Sequence, residues 1–510
     1  MEAPEKTQND LSVVRREAPD QVVVEERTVT MGKEEPLPIA TLPEPRKAIH
    51  LLGPGMALTA LGVGLGETFM WPRLVMVFGP EVRWLFLIGV TVQLVVMMEM
   101  ARWTMATGES IFFGAARLHR GAMWFFWATA LAVYIFPGHI ALGAQSIETL
   151  TGVPWLPTAI GGLLLIGLIL TFSKIVYNVV ENVLTTFISI LVIGSAIIAS
   201  MVGSWGDVSS TITGTFSFGF FDSEWFTATW FPLIVGSLAF AGPSGMQQMW
   251  YTLWLRDKGA GMGQYIPRIR GLRALDEEET MPSRGFTFDT ENPREMQKWR
   301  GWRKWNTFDA TVLFWGVTMV TTVIFTVLAL SAGRLDPGAA DLIRAGDDGA
   351  AIPAMAEAFG EVGGDFARIA FFAFIGIIGW KLSFGLFDAL ARGQADMTYY
   401  FAPFTRKWGM SRIYLGYVWL IVGAGITTLT LVGLGVLGSE DGPEFILNTL
   451  AFLSAFAMGA YCIVLLLTNN RLLPKKLRPK KIFNFALGLG ALMYLGGLFV
   501  SLAVFGALPD

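Results

Sequence analysis

Cysteine, histidine and charge are all scarce in this chain of 510 residues. A single cysteine, Cys462, lies in an apolar run, which excludes a disulfide framework and a thiolate metal cluster. Three histidines, far apart in sequence, offer no metal-ligand cluster, and neither a catalytic triad nor a Gly-rich phosphate loop is present. These absences argue against an enzyme, against a bound cofactor and against ATP-driven chemistry. Charged residues make up 15% of the chain, where soluble domains carry about 25%. What is abundant is apolar: 53% hydrophobic residues and a mean hydropathy of +0.51. That balance belongs to polytopic membrane proteins. The first fifty residues are polar, charged and lack an apolar h-region, so they do not read as a signal peptide. Residues 1–50 are expected to be a disordered, solvated cytoplasmic tail.

Apolar runs of about 20 residues, the length needed to cross a bilayer, occur eleven times. They lie near residues 51–78, 84–106, 122–147, 155–173, 182–203, 226–255, 308–332, 366–392, 411–435, 445–468 and 482–506. Basic residues concentrate in alternate loops: Arg117 and Arg120; Arg256 to Lys304; Arg406, Lys407 and Arg412; Arg471 to Lys481. The other loops are basic-poor and partly acidic, with Asp207, Asp222, Glu224, Asp336 and Asp341. The positive-inside rule then puts the N-terminus in the cytoplasm and, after eleven spans, the C-terminus outside. The largest soluble piece, 256–305, ends in Trp299, Trp302 and Trp305 among basic residues, the pattern of a helix anchored in the headgroup layer.

Two of the spans are interrupted. The first contains Gly62-Val63-Gly64-Leu65-Gly66-Glu67-Thr68, and the sixth contains Ala241-Gly242-Pro243-Ser244-Gly245. Unwinding a membrane helix frees backbone groups that cost several kcal/mol each in hydrocarbon unless something binds them. Gly/Pro-interrupted spans in corresponding positions of two halves therefore point to a transporter's binding site. Spans one and six each open a group of five, so the second group enters from the opposite side. The expected fold is an all-α, five-plus-five inverted repeat with an eleventh helix: residues 51–203, then 226–468, then 482–506. Gly64, Glu67, Pro243, Met246, Gln247 and Gln248 are the candidate substrate-binding residues. Glu67, Met246 and Gln248 would supply a carboxylate, a thioether and an amide oxygen to a metal ion.

Leu52-Gly53-Pro54-Gly55, Ala106-Thr107-Gly108, Gly152-Val153-Pro154 and Arg392-Gly393-Gln394 resemble segments of the Nramp divalent-metal transporters, in the same order and at the same span ends. The resemblance covers about residues 50–470 and implies a LeuT-type fold with proton-linked secondary transport. The departures fall on the family's chemistry. Its Asp-Pro-Gly-Asn motif is here Gly64-Leu65-Gly66-Glu67, and its Met-Pro-His is Met246-Gln247-Gln248. The family's proton-pathway Asp and Glu correspond to Phe136 and His139, and the basic pair of the ninth span is missing.

Ionisable residues at membrane depth cost at least about 2.5–3.5 kcal/mol at a helix centre and are functional candidates by default. Glu67 is read as a substrate or coupling-ion ligand, or as a cap for freed amides. His139, Lys381 and Asp388 are candidates for a proton or charge relay, with Lys381 meeting Glu67 or Asp388. Arg73 is either a gate charge or a snorkelling side chain, and Glu99 is expected to pair with Arg102. The expected function is secondary transport of a cation, manganese or magnesium first. The alternative is a small organic solute, amine or amino-acid-like. The expected partners are a plasma-membrane bilayer, the substrate and protons, with no nucleic acid.

Overall fold

The computed structural model describes residues 24–45, 54–173, 176–268, 282, 284–344, 351–437 and 442–506. Among these, eight helices are long and apolar enough to cross a membrane: 80–107, 120–151, 155–172, 293–335, 364–401, 410–433, 446–471 and 481–504. The other three expected spans are the two with breaks and the fifth. The fifth is the helix Val176–Val202, six residues longer at its start than its apolar run suggests. It is followed at a bend of 119° by a short helix, Trp205–Thr215, which lies on the 80–82 turn. Ser204 and Asp207 form a reciprocal capping box at the start of that helix. Outward-facing Leu164, Leu168, Ile193, Ile197, Phe485 and Phe499 give the bundle an apolar belt, as hydrocarbon requires.

The first span runs as a helix from Pro54 to Gly62, loses its helical form at Val63 and Gly64, and resumes at Leu65 through a π-helical turn, Gly66–Met70, into Trp71–Phe78. The sixth runs from Trp230 to Ala239, breaks over residues 240–246 with Gly242 and Gly245 at positive φ, and resumes as Gln247–Lys258. Both breaks are buried, and they press against each other. A Cβ on Gly66 would fall 2.3 Å from the carbonyl oxygen of Phe240, and one on Gly62 would fall 2.8 Å from the ring of Pro243. The third and eighth spans also touch backbone to backbone. A Cβ on Gly379 would sit 2.3 Å from the carbonyl oxygen of His139 and 2.8 Å from the Cα of Gly143. Small residues at such a crossing are how membrane helices come close.

Two expectations fail on the face that carries the basic loops. Residues 24–45 are not a disordered tail: Val24–Val29 and Leu37–Ala40 form an antiparallel hairpin, and Leu37, Ala40 and Leu42 are buried. The remainder of 1–50 lies outside the described residues. The tryptophan stripe is no headgroup anchor either. Trp299, Trp302 and Trp305 lie on Pro293–Phe308, which runs straight into the seventh span, and all three are buried. Trp302 donates its indole N–H to the carbonyl of Pro43. The ordered N-terminal segment covers the apolar face that the sequence would otherwise have given to lipid.

Candidate functional site

The first break is held open by its neighbours. The Gly64 carbonyl accepts from the amides of Glu67 and Thr68 and from the Thr68 hydroxyl, which closes the turn locally. The Val63 carbonyl has a different partner: the side-chain nitrogen of Lys381, 2.9 Å away and fully buried on the eighth span. Glu67 points elsewhere. Its Oε2 accepts from the hydroxyl of Thr321 on the seventh span at 3.0 Å, and its Oε1 has no hydrogen-bond partner. Lys381 and Arg83 lie within electrostatic range of Glu67. Arg83 is itself engaged by Thr215, Thr326 and the carbonyl of Thr322.

The second break is pinned from the third and tenth spans. The Tyr134 hydroxyl donates to the Ser244 carbonyl and accepts from the Met246 amide, both at 3.1 Å. Gln247 donates to the Ser244 hydroxyl and leaves its own Oε1 unpartnered. Gln248 is engaged at both ends: its Nε2 donates to the Gln93 carbonyl and its Oε1 accepts from Tyr461. Pro243 packs on Gly62, and Gly64 packs on Leu382. Met246 is buried at the start of the second half-helix. The proposed metal set is therefore divided: Glu67 is turned to the seventh span, and Gln248 to the second and tenth. Among the described residues no group of three His, Cys, Asp or Glu side chains is arranged to hold a metal ion.

His139 is buried beside Phe240, with both ring nitrogens unpartnered. It lines a cavity with Tyr134, Phe136, Ser383 and Phe387, with room for about one water molecule. The cavity joins the tyrosine that pins the second break to the eighth span, two residues beyond Lys381.

Asp388 does not meet Lys381. It belongs to a buried charge network nearer the basic-loop face, where Arg392 pairs with both Asp388 and Asp257, and Tyr414 donates to Asp388 at 2.9 Å. Arg256 pairs with Asp396 at 2.6 Å, and Asp396 also accepts from the hydroxyl of Ser110. These contacts tie the second half of the sixth span to the eighth and ninth, closing that face. Glu99 and Arg102 form the expected pair, with two N···O distances of 2.7 and 2.9 Å. Arg73 is neither snorkelling nor at the surface: it is buried with its guanidinium over the Phe69 ring.

Sequence reasoning missed Tyr134, Thr321 and the Arg256–Asp257 dipeptide. A hydroxyl carries no periodicity signal, and Arg256 and Asp257 look like the first residues of a solvated loop. It also missed Asp309, whose carboxylate accepts from Tyr251 at 2.9 Å and abuts Gly55 at the start of the first helix.

No family model and no curated protein sequence matches the chain. Solved structures do. A mutant of the Eremococcus coleocola manganese transporter superposes with a TM-score of 0.62 at 12% identity, over 95% of this chain and 92% of that one. A complex of the same transporter with an aromatic bis-isothiourea compound gives 0.60, also at 12% identity, over 96% and 93%. Mhp1, a nucleobase-cation-symport-1 family transporter in a closed conformation with bromovinylhydantoin bound, gives 0.52 at 14% identity, over 90% and 92%. The chain has the LeuT-type fold. Its five-plus-five inverted repeat with an eleventh helix, and its multi-pass membrane architecture, follow from that likeness and from the apolar helices.

Proposed function

We propose that this chain is a proton-linked secondary active transporter, with the N-terminus cytoplasmic, that binds a small solute where its two breaks meet. The observation that carries this reading is the Lys381 side-chain nitrogen on the freed carbonyl of Val63, with the Glu67 carboxylate in electrostatic range. A basic and an acidic group that share an unwound segment can exchange protons with a passing solute. The break supplies the geometry through which such an exchange couples to helix movement.

Of the two guest classes, the site favours a small organic solute over a bare divalent ion. When protonated, Lys381 places a positive charge on the carbonyl that a metal would use and repels it, and low dielectric strengthens that repulsion. Gln248 is held by Gln93 and Tyr461, which turns its amide toward the second and tenth spans. His139, Phe240 and Tyr134 supply ring faces and hydrogen-bonding edges of the kind that hold planar or amine solutes. The metal reading retains one specific support: Glu67 Oε1 and Gln247 Oε1 are buried oxygens without partners.

Purified protein in liposomes decides between them. Flux of Mn²⁺ or Mg²⁺ abolished by Glu67→Ala would restore the metal reading. Proton movement driven by a gradient of an amine or amino acid, with no metal flux, is the result expected here.

A further inference from the structure

Residues 24–45 make more specific contacts than a passive tail needs. The hairpin turn meets Arg117, whose Nη1 donates to the carbonyls of Met31 and Glu35 at 3.0 and 2.9 Å, while its Nε and Nη2 hold Glu109 at 2.7 Å each. Glu109 in turn accepts from the Gly285 amide. The second strand runs beside Thr287: the Ala40 amide donates to the Thr287 carbonyl, and the Thr287 amide donates to the Pro38 carbonyl. Beyond it, the Leu42 amide reaches Glu295 at 2.5 Å, Lys298 donates to the Leu42 carbonyl, and Trp302 donates to Pro43. Tyr265 donates to the Thr41 carbonyl at 2.6 Å.

One short segment thus bridges three pieces: the connection between the second and third spans, the loop after the sixth span, and the helix leading into the seventh. It covers the face where the Arg256–Asp396 and Arg392–Asp257 pairs close the bundle. Only the eight residues 46–53 separate it from Pro54, where the broken first span starts. A segment joined covalently to one moving element and by hydrogen bonds to the loop of the other is placed to oppose their separation.

We propose that residues 24–45 are a strap that holds the basic-loop face shut, and that this face opens only when the strap leaves Tyr265, Thr287, Glu295 and Trp302. Burial raises the Tyr265 phenol to about 12, so it remains a donor to Thr41 at any physiological pH. Most of the contacts are backbone carbonyls and amides taking side-chain or backbone partners, so the strap can release without leaving an unpaired charge in the interior. The inference rests on the transporter reading for its purpose but not for its test, which needs no substrate.

A reporter cysteine at the second break, Ser244→Cys in a Cys462→Ala background, is labelled with a membrane-impermeant thiol reagent from the basic-loop side. Tyr265→Phe with Trp302→Phe removes two donors to the strap, and labelling should accelerate about tenfold, the factor expected for two lost hydrogen bonds. Deleting residues 24–45 should accelerate it further. Leu42→Cys with Glu295→Cys, joined by a reducible bis-methanethiosulfonate that loses one sulfinate to each thiol, should suppress labelling until the link is cut. Equal rates in the double phenylalanine variant, and no effect of the cross-link or of cutting it, would overturn the proposal even if the deletion variant fails to fold.

Discussion

The side-chain nitrogen of Lys381 lies 2.9 Å from the carbonyl oxygen of Val63, so the eighth span supplies the hydrogen bond that the first span gave up when it unwound. That contact replaces an intrahelical bond with a side chain that can gain or lose a proton. Lys381→Met keeps the length of the side chain and removes the donor. The Val63 carbonyl is then buried without a partner, a loss of about 1–3 kcal/mol. Thermal unfolding in detergent should register that loss, and proton flux in liposomes should fall to background.

Glu67→Gln separates charge from shape. The amide can still accept from Thr321, so the variant should fold and bind solute. What should disappear is the dependence of flux on a proton gradient, measured with a pH-sensitive dye inside the vesicles. Unaltered coupling in Glu67→Gln would remove the carboxylate from the mechanism.

Glycines at the contact between the breaks are irreplaceable for steric reasons. Gly66→Ala drives a methyl group to 2.3 Å from the Phe240 carbonyl and should cost about 1–3 kcal/mol through overpacking. Gly161→Ala, whose methyl would meet nothing within 4 Å, is the matched control and should be neutral in the same melting assay.

Arg392 balances two buried carboxylates. Removing it in Arg392→Ala leaves Asp257 and Asp388 uncompensated, a loss of about 3–5 kcal/mol, and the protein should not accumulate. Tyr414→Phe removes one hydrogen bond to Asp388 and should cost about 1.5–3 kcal/mol, the range for bonds to charged groups. Expression level and melting temperature rank the two, and an Arg392→Ala protein as stable as Tyr414→Phe would contradict the charge assignment.

His139→Phe replaces two unpartnered ring nitrogens with carbon. Stability should hold or rise. If His139 carries protons, the pH profile of flux should flatten; an unchanged profile would leave it a packing residue beside Phe240.

Spans were legible in the sequence because apolar length and loop charge are summed over many residues. The breaks were legible because Gly62 to Gly66 and Gly242 to Gly245 interrupt that sum. Pairings were harder. Lys381 stood out as a charge at membrane depth, yet its partner is a backbone carbonyl, and backbone carbonyls look alike in every residue. Asp388 lies seven residues further along the same helix, which suggested a shared pathway, while Arg392 one turn beyond it and Asp257 on another span decide its role. Residues 24–45 were misread because composition reports what a segment could bury by itself. Their order comes from Arg117, Thr287 and Trp302, which lie roughly 70 to 280 residues away in the chain.

With Gly143 and Gly379 in main-chain contact, the third and eighth helices have no cushion of side chains along which to slide. They must travel together as one post. On the transporter reading proposed above, the first and sixth helices are the pair expected to tilt against that post.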